Sequence, residues 1–302
     1  MPDFIAREGD TATGIELDYD YHLRRRHGSL RGLYNRFCRS LELQLIKREA
    51  DRLGRPLDML DVGCGNPTRS NSTYHAQLFP LARLYIGIEP SLPLASRVHP
   101  LPSVGLVRAS GELRVLRDQV VDMALSFRAL DRCVDPDRTL ANMAAALRPQ
   151  GHVLISLVNK NVWYRAASNG VHAMLALRSS SNGRRSVEMS PDDLRRRLES
   201  VGFQDVEVYD LLYFSGLVQS KAFDWVLALF GEQWCAAALR QADRVGRLIA
   251  PERGGMFVAL ARKLQNNDGE TKGSRSHSIA QDKNFFLKGI VASNLQNNLR
   301  AA

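Results

Sequence analysis

The apolar run Leu57-Asp58-Met59-Leu60-Asp61-Val62 stops abruptly at Gly63-Cys64-Gly65, and this junction constrains the fold more than any other part of the chain. A run of that length bounded by glycines reads as a buried strand. Two glycines at its end let the backbone lie flat against a ligand, because neither carries a Cβ and both tolerate positive φ. A second run, Arg83 to Glu89, ends in an acid 24 residues after Gly65. Open α/β sheets place a carboxylate there to accept hydrogen bonds from ribose hydroxyls. After Gly65 come Asn66, Pro67 and Thr68 rather than a third glycine. A dinucleotide fingerprint wants that glycine for helix packing around a pyrophosphate, so the turn suits a nucleoside ligand with no phosphate to cradle.

The rest of the chain alternates in the same manner. Residues 28–53 predict a helix whose apolar stripe is Leu33, Phe37, Leu41, Leu45 and Ala50, with Arg, Glu and Lys elsewhere. Further strands are predicted over 103–107, 120–126, 152–158, 205–212 and 256–262, and helices over 135–147 and from Ser190 to Gly202. Ser190-Pro191-Asp192-Asp193 supplies a cap, a first-turn proline and two acids at the positive end of the helix dipole. Such alternation implies βαβ units, a mostly parallel sheet covered on both faces, and a ligand at the carboxyl ends of the strands.

Composition excludes several other classes. With 44% apolar residues over 302 positions, the chain can bury a large core. No apolar run reaches the roughly 20 residues that span a bilayer, and the start lacks the order of a signal peptide, so a cytoplasmic protein without a membrane partner is expected. Cys38, Cys64, Cys133 and Cys235 lie far apart with no C-x-x-C pair, which offers neither a disulfide framework nor a metal site. The formal charge of +9 divides as +2, +2, +3 and +2 over residues 1–55, 56–160, 161–264 and 265–302. A nucleic-acid enzyme concentrates such an excess in one stripe or domain, so no nucleic-acid partner is expected.

Four stretches together, LDMLDVGCG, YIGIEPS, VVDMALSFRALDRCVDPDRTLANMAAALRPQGHVLIS and SPDDLRRRLESVGFQDVEV, resemble in order and spacing the class I S-adenosylmethionine-dependent methyltransferases, particularly those acting on small molecules. The resemblance covers residues 57–262. It implies an α/β, Rossmann-like, doubly wound seven-stranded sheet, with S-adenosyl-L-methionine as cofactor and direct in-line methyl transfer to a small organic molecule of secondary metabolism. The expected organisation is an N-terminal arm and helix over 1–55 acting as a lid, a cofactor domain over 56–264 with cap insertions at 161–189 and 215–251, and a disordered tail over 265–302.

The resemblance also assigns roles. Asp61 and the turn Gly63-Cys64-Gly65-Asn66 line the methionine and ribose, Glu89 holds the ribose hydroxyls, Pro90 and Ser91 sit beside the adenine, and Ser110-Gly111-Glu112 follows the adenine edge. Ser126 and Phe127 face the sulfonium. Pro67 and Gln150 stand where many members have glycine.

A base is needed only if the acceptor arrives protonated. Tyr19, Tyr21, His22, Asn159 and His172 are candidates for it, while Arg128, Asp131, Trp163 and Tyr164 are candidates to meet the substrate. No motif distinguishes among them, and the oligomeric state is not assigned. Two alternatives stay open: another use of the sulfonium, by cyclisation or aminocarboxypropyl transfer with release of methylthioadenosine, and a non-catalytic cofactor-binding scaffold.

Overall fold

Strands β1 (Leu57–Val62) and β4 (Val121–Phe127) are buried at every position, as near-continuous apolar runs must be when both sheet faces are covered. Around them stand β2 (Ala82–Ile88), β3 (Val104–Val107), β5 (Leu147–Val158), β6 (Phe203–Leu211) and β7 (Met256–Lys263), in the order β3-β2-β1-β4-β5-β7-β6. The five strands from β3 to β5 run parallel, while β7 is antiparallel to both β5 and β6. Strand order reverses between β1 and β4. In open α/β sheets such a switch point is where ligands bind, outside the carboxyl ends of the strands.

The computed structural model describes residues 30–65, 73–90, 103–162, 187–213 and 224–264. Several expectations therefore lie outside the described residues: those on Tyr19, Tyr21, His22, Asn66, Pro67, Ser91, Trp163, Tyr164 and His172, on the arm before residue 30, on most of the first cap and on the tail after 264. Among the described residues no helix is long and apolar enough to cross a membrane.

Among the described residues five helices flank the sheet: α1 (Leu30–Leu53), α2 (Thr73–Leu78), α3 (Pro136–Ala146), α4 (Pro191–Ser200) and α5 (Asp224–Ile249). One sheet face packs Leu60, Val62, Ala124, Val153 and Ile155 against Leu140 and Met143 of α3 and Leu194 and Leu198 of α4. Each Val, Leu, Ile or Met among them contributes about 1.5 to 3 kcal/mol on burial. The cap predicted for α4 is present as a reciprocal box, in which Ser190 Oγ accepts from Asp193 N and Ser190 N donates to Asp193 Oδ2.

The opposite face is covered by α1, and here the structure corrects the sequence. Leu33, Leu41, Leu45 and Ala50 are buried as predicted, but so are Cys38, Glu42 and Glu49. Glu49 receives Arg52 Nε at 2.7 Å and lies 3.3 Å from His152 Nδ1 on β5, and Arg48 reaches Glu207 and Tyr209 on β6. The helix lies flat on a sheet face that carries polar side chains of its own, so its buried arc is wider than its apolar stripe.

At the amino ends of β1 and β4, Asp58 and Asp122 are braced by three arginines. Arg83 and Arg148 donate to Asp58, while Arg55 and Arg148 donate to Asp122, whose Oδ2 also accepts from Asp58 N at 2.9 Å. Gln150 holds φ at +64, the left-handed turn for which glycine was expected, and its amide oxygen accepts from Arg262 Nη1 at 2.7 Å.

Candidate functional site

Where β1 ends, Gly63 and Gly65 take φ values of +79 and +65. The turn folds back on β2, with Gly63 N donating to Ile88 O at 2.8 Å and Cys64 N to the same oxygen at 3.3 Å. A Cβ on Gly63 would stand 2.1 Å from Ala129 Cβ, so no larger residue fits. Cys64 Sγ fills the space beside Gly87, where an added Cβ would lie 2.6 Å from it. Burial pushes that thiol well above its ordinary range. The Cys64 side chain is therefore packing, and only its backbone belongs to the turn.

Two carboxylates flank this turn. Glu89 Oε2 accepts from Gly65 N at 3.1 Å, which ties the end of β2 to the end of β1. Asp61 is buried and accepts from Tyr85 Oη at 2.7 Å. Burial pushes its carboxyl up to about 6, against the opposing pull of the Tyr85 hydrogen bond and of Arg39. Because its folded pKa lies above the ordinary value near 4, ionising Asp61 costs nothing below about pH 4 and its full amount above pH 6. Asp61→Asn is accordingly expected to stabilise the protein by about 2 kcal/mol at pH 8 and to leave it unchanged near pH 4. Urea unfolding at the two pH values checks this; equal stability at pH 8 overturns it.

Residues that sequence reasoning passed over complete the cluster. Arg39 of α1 lies over the Tyr74 ring at 4.2 Å and near Phe127 at 5.6 Å, and its Nη1 donates to Glu42 Oε2 at 3.0 Å. Tyr74 of α2 meets Phe127 edge-on at 5.8 Å. Glu42 Oε1 and Tyr74 Oη are buried without hydrogen-bond partners. Burial and the nearby Arg39 push the imidazole of His75 down to about 3, so it stands neutral. The one signal in the sequence was the i, i+3 spacing of Arg39 and Glu42, which is also that of an ordinary exposed pair.

The remaining candidates separate. Phe127 turns toward α1, whereas Ser126 pairs in register with Ile155 on the opposite face and its Oγ is buried without a partner. Strand alternation thus corrects the expectation that both side chains face one group. Gly111 is needed for packing, since a Cβ there would meet Val62 and Thr139 at 2.7 and 2.9 Å. Glu112 Oε1 accepts from Val134 N and Asp135 N, which commits the carboxylate to the loop before α3. Ser110 O accepts from Leu113 N, and Pro90 is exposed with its carbonyl accepting from Arg108 Nε.

Arg128 follows β4 at φ +57 and donates from Nη1 to Asn35 Oδ1 of α1 at 2.9 Å. Asp131 is half-buried, which pushes its carboxyl up, and its Oδ1 has no hydrogen-bond partner. Both stand beside the carboxyl end of β4. Asn159 does not join them as a base. It is buried with Nδ2 donating to Glu252 O and Oδ1 accepting from Asn161 N, so its amide ties the end of β5 to the loop before β7.

A family model described as a methyltransferase domain matches residues 31–208. Among solved structures, a SAM-dependent methyltransferase of Thermotoga maritima, described as a possible histamine N-methyltransferase, is similar with a TM-score of 0.50 and 17% identity, covering 82% of this chain and 97% of that one. A SAM-dependent methyltransferase of Mesorhizobium loti gives 0.45 and 16%, with 69% and 91% covered. Phosphoethanolamine N-methyltransferase 2 of Haemonchus contortus, in complex with S-adenosyl-L-methionine, gives 0.46 and 18%, with 70% and 49% covered. No curated protein matches the chain.

Proposed function

The chain belongs to the methyltransferase-domain family and is a transferase dependent on S-adenosylmethionine, and on that premise we propose that it methylates a small organic molecule in the cytoplasm by direct in-line transfer. The observation that carries the site is the Gly63–Gly65 turn latched by Glu89, a cradle in which the first glycine has no room for a side chain. These residues fit a nucleoside bearing an amino acid. Gly63 and Gly65 leave the backbone open to the ribose, Glu89 accepts from its hydroxyls, and Asp61 offers negative charge to the ammonium. When bound, the cofactor supplies a methyl group already attached to a good leaving group.

The work left to the chain is alignment and exclusion of water. Phe127 and Tyr74 wall the side toward α1, and Arg128 and Asp131 offer polar contacts to an acceptor beyond the end of β4. In this reading α1 and α5 serve as lid and cap. An even spread of basic charge supports a small acceptor over nucleic acid.

Calorimetry tests the cofactor site. Glu89→Ala is expected to bind S-adenosylmethionine about 10- to 100-fold more weakly, the effect of losing a charge-assisted hydrogen bond of roughly 1 to 3 kcal/mol, with the fold intact by circular dichroism. Unchanged affinity removes the site assignment. For the reaction, the protein is incubated with methyl-labelled cofactor and fractionated cell extract. Label in the low-mass fraction is expected, whereas label in protein or nucleic acid, or methylthioadenosine released without any acceptor, overturns the proposal.

A further inference from the structure

The two ends of β1 and β4 handle buried acid differently. At the amino ends, Asp58 and Asp122 share Arg55, Arg83 and Arg148, and each carboxylate oxygen has a donor. At the carboxyl ends, Glu42 and Asp61 are equally buried, but among the described residues the guanidinium that pairs with Glu42 and attracts Asp61 is that of Arg39. His75 is neutral there, and Arg128 is turned to Asn35. Tyr74 and Tyr85 are neutral as well, their phenols pushed further up by burial. Glu42 Oε1 has no hydrogen-bond partner. A buried carboxylate so placed is costly to the fold, and an apolar side chain would serve packing better.

We infer that Glu42 is an electrostatic positioning residue that makes this site prefer a ligand with a positive charge at its reacting end to the counterpart without one. Among the described residues, Glu42 and Asp61 set two carboxylates against the Arg39 guanidinium; the ligand's ammonium, present with or without the methyl group, answers Asp61, and a further positive charge at the reacting end answers Glu42. S-adenosylmethionine carries that charge on sulfur. S-adenosylhomocysteine, left once the methyl group has gone to the acceptor, does not. The pocket therefore holds the substrate form and lets the product form go. The inference rests on the cofactor reading above and adds a residue of α1, outside the glycine turn, to it.

The test is calorimetry at pH 8 and low salt with S-adenosylmethionine, S-adenosylhomocysteine and sinefungin, which carries an ammonium-bearing carbon in place of the sulfonium. Wild-type protein is expected to bind both cationic ligands more tightly than S-adenosylhomocysteine. Glu42→Gln is expected to cut that preference about tenfold, as removal of one charge in a partly desolvated pocket should, while S-adenosylhomocysteine affinity stays within about twofold and Glu42→Asp restores most of the preference. Equal loss for charged and neutral ligands marks Glu42 as merely structural and overturns the inference. Should Glu42→Gln fail to fold, the wild-type comparison still decides: equal affinity for sinefungin and S-adenosylhomocysteine overturns it. Wild-type protein that binds none of the three overturns the cofactor reading itself, a result distinct from a preference insensitive to position 42.

Discussion

Gly63→Ala is expected to lower stability by about 3 kcal/mol and to abolish measurable cofactor binding. Two costs add. A side chain at φ +79 is strained by about 1 kcal/mol, and a Cβ placed 2.1 Å from Ala129 Cβ must displace the segment after β4, the overpacking that typically costs about 1 to 3 kcal/mol. Shifting that segment moves Phe127 and Arg128 with it and pulls Cys64 N from Ile88 O, so the turn loses its shape. Urea unfolding and calorimetry read the two effects. Adding Ala129→Gly removes the collision but not the strain, so Gly63→Ala with Ala129→Gly should regain about 1 kcal/mol or more over Gly63→Ala alone. No coupling between the positions overturns the steric account.

Asp122→Ala is expected to cost about 3 to 5 kcal/mol, the usual result of removing one partner from a buried ion network, while cofactor affinity changes less than about threefold. The mutation takes from Arg55 its carboxylate partner and from Arg148 one of its two, and it strands Asp58 N. All of this lies at the amino ends of the strands, away from the glycine turn. The effect also has a pH signature. Burial would raise the Asp122 carboxyl, but hydrogen bonds from Arg55, Asp58 N and Arg148 outweigh it and hold the group below its ordinary value. A depressed pKa contributes stability that is present above about pH 4 and lost as pH falls through the folded value. The gap between wild type and Asp122→Ala should therefore narrow below pH 4. A gap that is flat down to pH 3, or a large loss of cofactor binding at pH 7, overturns the assignment.

Particular elements show how far the sequence was legible. β1 and its turn could be read because an apolar run, two glycines and an acid on the next strand each answer a local demand. The α4 cap was legible for the same reason, since Ser190 and Asp193 satisfy amides within one turn of themselves. Glu42 and Glu49 were not, because a charged residue on a helix reads as solvated unless the surface it lies against is known. Their burial is set by the α1 packing, which also brings His152, some hundred positions away, against Glu49. The partners of Glu112 and Asn159 were hidden for a related reason. Both look free in sequence, yet their side chains are taken by the backbone amides and carbonyl of loops brought beside them only on folding.

By itself, then, the sequence determined the alternation of strand and helix, the crevice at the carboxyl ends of the sheet, the glycine turn with Glu89, and the class of nucleoside ligand. These depend on backbone conformations and periodicities that adjacent residues impose on one another. Only the tertiary structure decided the charge at those ends: which acids are buried, and that Arg39 stands against Glu42 and Asp61. Those facts depend on which surfaces meet when α1 settles on the sheet. Burial, rather than residue type, then sets whether a carboxylate is braced, as Asp58 and Asp122 are, or left with charge that a ligand can complete.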